Sequence, residues 1–131
     1  MEIHNVRWIF WAFERSVMEF DLPDNLGLTR LPPRVDLIIY LIKAELKNTR
    51  FTNQLEQIGF DTSLSSLDFG GLILELAGFS NRNDELFDWY NQLVEDYSNR
   101  LDDPADPARV NEVAFDFYNE IQKKKDGDSR R

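Results

Sequence analysis

Six consecutive apolar residues, Leu37-Ile38-Ile39-Tyr40-Leu41-Ile42, follow the pair Pro32-Pro33 and run straight into Lys43. The run is far short of the ~20 apolar residues that a membrane-spanning helix needs. Proline suits the first turn of a helix, where its missing N–H has no intrahelical partner to lose. The spacing therefore predicts a helix over about 33–47. Asp36 falls near its positive end and Lys43 and Lys47 near its negative end, as the macrodipole favours. A helix that is apolar almost all round has no face to offer water and must be enclosed. The rest of the chain has to supply the shell around it.

That shell is expected to be helical. Ile3, Val6, Phe10, Phe13, Val17 and Phe20 recur three and four residues apart, and Trp8 and Trp11 widen the stripe. Val6 to Phe13 is β-branched and aromatic enough for a buried strand. The stripe continues for two further turns, so a helix over about 5–20 is expected. Residues 21–33, with Pro23, Asn25, Gly27 and the proline pair, read as a loop. Further on, Leu55-Glu-Gln-Ile-Gly59-Phe60 and Leu74-Glu-Leu-Ala-Gly78-Phe79 share the pattern L-E-x-x-G-F. Glycine in the left-handed position just past a helix lets the next residue fold back on the leucine, as in a Schellman cap. Helices over about 49–58 and 66–77 follow from these two stops. The first presents Phe51, Leu55 and Ile58 on one face. The second starts at Ser65-Ser66 and carries Leu72, Ile73 and Leu76.

A helix over about 82–101 has cap candidates in Ser80, Asn81 and Asn83. Its stripe is Leu86, Tyr90, Leu93, Tyr97 and Leu101, reinforced by Trp89 and Val94. Asp102 to Pro107 is then a turn, with Asp106 as N-cap and Pro107 as first residue of a last helix over about 107–124. That helix should bury Val110, Val113, Ala114, Phe117 and Ile121. Hairpin signals are missing, which leaves a sheet little support. The expected fold is all-α: a compact single-domain bundle of about six helices over 1–125, with irregular, non-coiled-coil packing. A polar C-terminal tail, 126–131, follows it.

Composition narrows the class of protein. A chain of 131 residues with ten Phe, four Tyr and three Trp has the material for a core and buries roughly two-thirds of its unfolded surface. It has no cysteine, which excludes a disulfide framework and thiolate metal sites. The start, Met-Glu-Ile-His-Asn, lacks the basic segment and cleavage site of a signal peptide. A soluble, cytoplasmic protein without membrane association is expected.

Chemistry-bearing motifs are weak. His4 is the lone histidine, whereas a general base needs a positioning partner and a metal site needs further ligands. Di-metal bundles, which take Glu-x-x-His from facing helices, cannot be assembled with it. Asp68-Phe69-Gly70 spells the magnesium-binding tripeptide of protein kinases, but the glycine-rich loop, strand lysine and catalytic loop are missing. Gly70-Gly71 is better explained by close approach of a neighbouring helix. Glu75 lies within the apolar run Leu72 to Ala77 and belongs either at its edge or buried with a partner; its place in the helix favours the edge. A buried acid with a raised pKa there is the one catalytic possibility. Asp102, Asp103 and Asp106 lack the spacing of an EF-hand. No catalytic, cofactor or metal residue is assigned, and the chain is not expected to be an enzyme.

Charge gives the remaining signal. The net charge of −9 is unevenly spread: residues 84–120 hold 11 acids against only Arg100 and Arg109. Glu112, Asp116 and Glu120 stand four apart, forming one column, and Asp84, Asp88 and Glu95 form another, with Asp96 beside it. Like charges at i,i+4 destabilise a helix by a few tenths of a kcal/mol per pair. Asp96 with Arg100 and Glu120 with Lys124 bring relief, whereas Asp84–Asp88 and Glu112–Asp116–Glu120 are expected to have none. Solubility alone accounts for an acidic surface; a landing site for a basic partner accounts for columns kept at some expense in stability. The basic residues are scattered, which speaks against direct nucleic-acid binding.

The profile, small, acidic, cysteine-free and helical, resembles bacterial immunity proteins and antitoxins that neutralise basic nuclease toxins. It also resembles phage-encoded inhibitors and DNA-mimic proteins. The similarity is one of type and carries no motif or site residue. It implies an inhibitor that meets a basic protein through its two acidic helices. The expected contact residues are Asp84, Asp88, Glu95, Asp96, Asp102, Asp103, Asp106, Glu112, Asp116 and Glu120. The alternative is a structural or adaptor module that self-associates through the aromatic surface around Trp8 and Trp11.

Overall fold

Enclosure of the apolar run organises the described residues, 33–57 and 62–129 of a computed structural model. They form five helices: α1 (Pro33–Glu45), α2 (Thr49–Gln57), α3 (Ser66–Ala77), α4 (Asp84–Arg100) and α5 (Pro107–Ser129). No strand occurs among the described residues, so the fold there is all-α as expected. The sixth expected helix, over 5–20, lies outside the described residues, as do Ile58 and the Gly59-Phe60 stop.

α1 is the central helix. Leu37 to Ile42 are each no more than 3% exposed, and α1 packs against α2, α3 and α5. Its polar residues are carried inside with it: Asp36, Lys43 and Glu45 are all buried. α5 brings Val110, Val113, Ala114, Phe117 and Ile121, every one fully buried, as its spacing foretold. α4 closes the bundle against α3 and α5. Phe117 stands edge-on to both Tyr90 and Tyr97, with ring centroids 5.8 and 5.4 Å away. Such T-shaped pairs add about 0.5–1.5 kcal/mol beyond the area they bury.

Local chemistry fixes the helix ends. Ser65 caps α3: its Oγ accepts from the Asp68 N–H at 3.2 Å and donates to the Asp68 carboxylate at 2.9 Å. At the other end Gly78 has φ +98°, with Gly78 N–H bonded to the Glu75 carbonyl and Phe79 N–H to the Leu74 carbonyl. This is the Schellman geometry expected of the L-E-x-x-G-F pattern. Among the three cap candidates of α4, Asn83 is the one used, accepting from Leu86 N–H at 2.9 Å. Asp106 accepts from Ala108 N–H at 3.1 Å, with Pro107 as first helical residue.

Two ends differ from expectation. α1 stops at Glu45 because Lys47 takes a left-handed conformation, φ 64°, which turns the chain into α2. α5 runs on to Ser129, past the expected end near 124. Contacts with other helices hold this last stretch. Lys124 Nζ lies 5.6 Å from the centre of the Trp89 ring, and the Lys125 side chain crosses the space left by the missing Cβ of Gly78.

The two adjacent glycines of α3 have different tasks. A Cβ at Gly70 would stand 2.7 Å from a ring carbon of Tyr90, so α4 can approach only because that atom is absent. At Gly71 the nearest atom would be 3.7 Å away, ordinary contact. Gly70→Ala is expected to destabilise the protein by about 1–3 kcal/mol through overpacking. Gly71→Ala should stabilise it by up to about 1 kcal/mol, the usual gain of replacing glycine inside a helix. Urea unfolding of the two variants side by side checks both signs.

Candidate functional site

The acidic surface is not uniform. Every fully exposed residue of α4 is an acid or an amide: Asp84, Glu85, Asp88, Asn91, Gln92, Glu95, Asp96 and Asn99. The alternation of Leu86, Tyr90 and Leu93 toward the core forces these residues outward together. Among the described residues, no cation pairs with Asp84, Glu85, Asp88 or Glu95. Asp96 accepts a hydrogen bond from Gln92 at 2.9 Å.

The acids of α5 are different, and here the expectation of an unrelieved column fails. Asp116 pairs with Arg100 of α4 at 2.7 Å, Glu112 with Arg109 at 3.3 Å, and Glu120 with Lys123 at 3.2 Å. Arg100 reaches across to Asp116, and not along its own helix to Asp96, because its guanidinium packs over the Tyr97 ring, 4.9 Å from its centre. The bond to Asp116 raises the Arg100 pKa further. Lys124, the expected partner of Glu120, is drawn to Trp89. Thus Glu112, Asp116 and Glu120 are locally balanced, and the uncompensated charge is concentrated on α4 and the following turn.

That turn carries Asp102, Asp103 and Asp106, all exposed. Arg109 clasps it, bonding the Asp102 carboxylate at 3.2 Å and the Arg100 carbonyl at 3.1 Å. A backbone hydrogen bond, followed by the bond to Arg109, holds the Asp102 carboxyl below its ordinary pKa. From the opposite side, buried Asn48 donates its Nδ2–H to the Pro104 carbonyl. The Oδ1 of the same residue accepts from Arg50 N–H at 3.0 Å and so caps α2.

A second feature was not singled out by the sequence. Glu45, at the C-terminal end of α1, is 6% exposed and forms part of the wall of a cleft of about 430 Å³. The cleft lies between the end of α1, the start of α2 and the start of α3, and hydroxyls from Thr49, Thr52, Thr62 and Ser66 line it. Ser66 donates to Glu45 Oε1 at 2.7 Å. Oε2 is buried, and the fully buried Tyr90 hydroxyl has its pKa raised by burial and then by the nearby Glu45 carboxylate. Burial pushes the Glu45 carboxyl up to about 7, against the pull of its hydrogen bonds and of Lys47. Burial also lowers the Lys43 ammonium, to about 8, with Asp36 pulling it the other way. Lys43 lies over the Phe51 ring, 4.8 Å from its centre.

The residues that attracted attention as candidate chemistry have structural places. Glu75 sits at the edge of its helix, half-exposed, 3.7 Å from Arg82, as its position suggested. Asp68 belongs to the Ser65 cap, Phe69 to the core, and Gly70 to the contact with Tyr90. No group of three or more acids or histidines among the described residues is arranged to hold a metal ion. No helix of the described residues is long and apolar enough to cross a membrane. His4, Trp8 and Trp11 lie outside the described residues. No family model, curated protein or solved structure matches this chain.

Glu45 and Lys43 give the protein a distinctive pH profile. Glu45 holds its proton more tightly folded than unfolded, so its contribution to stability is full below its ordinary value of 4.5 and is lost as pH rises to about 7. Lys43 holds its proton less tightly folded, so its burial costs stability until pH rises from about 8 toward 10.5. Each limb is worth at most ~3 kcal/mol, taking 1.36 kcal/mol per pH unit. Denaturation midpoints should therefore fall between pH 5 and 7 and recover between pH 8 and 9.5. Glu45→Gln should remove the fall and Lys43→Met the recovery.

Proposed function

We propose that this chain is a protein-binding inhibitor, of the immunity or antitoxin type, that docks a basic protein against α4 and the 101–106 turn. One observation carries this: the outward face of α4 consists entirely of acids and amides, and its acids Asp84, Glu85, Asp88 and Glu95 have no cationic partner among the described residues. Such a face raises the local concentration of a positively charged partner and speeds its encounter. It repels nucleic acid, whose phosphates need a basic surface. Asp103 and Asp106 extend the same field around the end of the helix, beside Asp102, which Arg109 holds. Asp116 and Glu120, half-buried and held in ion pairs, support this surface more than they contribute free charge to it. Glu112 remains exposed beside Arg109 at its margin.

Charge reversal at Asp88 and Glu95 tests the proposal, because both side chains are exposed and neither holds the fold together. A basic protein captured from cells of the source organism at ~50 mM salt should be lost with Asp88→Lys/Glu95→Lys. It should also be released from the unaltered chain at ~500 mM salt, where screening shortens the reach of exposed charges to a few ångströms. Retention of the same protein by both forms, at both salt concentrations, would defeat the proposal.

A further inference from the structure

We propose that the cleft beside Glu45 is a binding site for one cationic group on a short alkyl stem, a primary amine or a guanidinium, with the Glu45 carboxylate as its counter-ion. The site is separate from the acidic face of α4 and does not rest on it.

The shape and the lining both point to this class. A volume of about 430 Å³ lies within the range of small-molecule sites, which runs from about 300 to 1,000 Å³. Ala44, Leu64 and Phe69 supply apolar wall for an alkyl stem. Thr49, Thr52, Thr62 and Ser66 supply hydroxyl oxygens; those of Thr52, Thr62 and Ser66 already donate to the Asn48 carbonyl, Glu56 and Glu45, which leaves their lone pairs to accept from a cation. Glu45 contributes the single acidic group of the wall, and the Glu56 carboxylate accepts from the hydroxyl of Thr62, itself a wall residue. Lys43, two residues before Glu45 on α1, is directed over the Tyr40 and Phe51 rings. Lys47, exposed at the rim, would repel a bound cation and moderate its affinity.

Binding and proton release are linked at this site. Ser66 of α3, the Tyr90 hydroxyl of α4 and Lys47 all act on the buried carboxyl, which is protonated below about pH 7, and a cation has to displace that proton to gain its counter-ion. Affinity should then fall about tenfold for each pH unit below 7 and level off above it. A neutral ligand of the same shape has no reason to follow this law.

Titration of the protein with n-butylamine and with butylguanidine, followed by NMR between pH 5.5 and 8, tests the assignment, with n-butanol as the neutral counterpart. The expected result is saturable shifts at Ala44, Thr52, Ser66 and Phe69, about fivefold weaker at pH 6 than at pH 7. Glu45→Gln should abolish both the binding and its pH dependence. Two further variants leave the buried acid in place. Thr52→Val should weaken amine binding by roughly three- to tenfold, the worth of one hydrogen bond. Lys47→Asn, which tolerates the left-handed backbone there, should tighten it. Butanol shifting the same residues with equal affinity would overturn the proposal. So would amine binding that is unchanged in Glu45→Gln, or the lack of any saturable shift with either cation.

Discussion

The structure depends on a helix with no wet side. Burial of α1 stabilises the fold through Leu37 to Ile42, which together remove a large apolar area from water. The same burial takes Asp36, Lys43 and Glu45 out of water. A charge in that environment needs a partner, a polarisable neighbour or a change of protonation. Lys43 has aromatic rings and the field of Asp36; Glu45 has Ser66, Tyr90 and a raised affinity for its proton. The two unusual titrations and the hydroxyl-lined cleft therefore have one origin, the demand that α1 be enclosed.

Much of this was legible in the sequence because the signals are local. The six-residue apolar run marks the central helix. Gly78 followed by Phe79, Asn83 before α4 and Asp106-Pro107 before α5 each carry their cap chemistry within a few residues. The stripe of Val110, Val113, Ala114, Phe117 and Ile121 is wholly buried because helical spacing leaves it no other place. Illegible features are those decided between helices. The end of α5 is held by Trp89 and by the gap at Gly78, both distant in sequence. The choice of Arg100 between Asp96 and Asp116 depends on how α4 and α5 lie together. Glu45 and Glu75 look alike in the sequence, each a single acid in apolar surroundings. The difference is that α1 is surrounded whereas α3 has an edge, where Arg82 is at hand. The available clue was that in a helix apolar all round every polar residue must be accommodated inside.

Acid content alone is a poor guide to where a protein presents negative potential. α4 and α5 are similarly rich in Asp and Glu, yet arginine and lysine pair with Glu112, Asp116 and Glu120 of α5 at short range. Exposed pairs of this kind add at most about 1 kcal/mol each to stability. Their larger effect here is on the pattern of the field. Pairing on one helix leaves the neighbouring face of α4 as the place where unpaired acids gather among the described residues.

The carboxamide of Asn48 joins parts of the chain 56 residues apart, with one end on the first turn of α2 and the other on the carbonyl of Pro104. Turns at the surface of small domains ordinarily loosen alone, at little cost, long before the core opens. Here the turn before α5 is tied to the residue that caps α2, whose first residues also form one wall of the cleft. The acidic turn and the hydroxyl-lined cleft are thus joined through a single side chain.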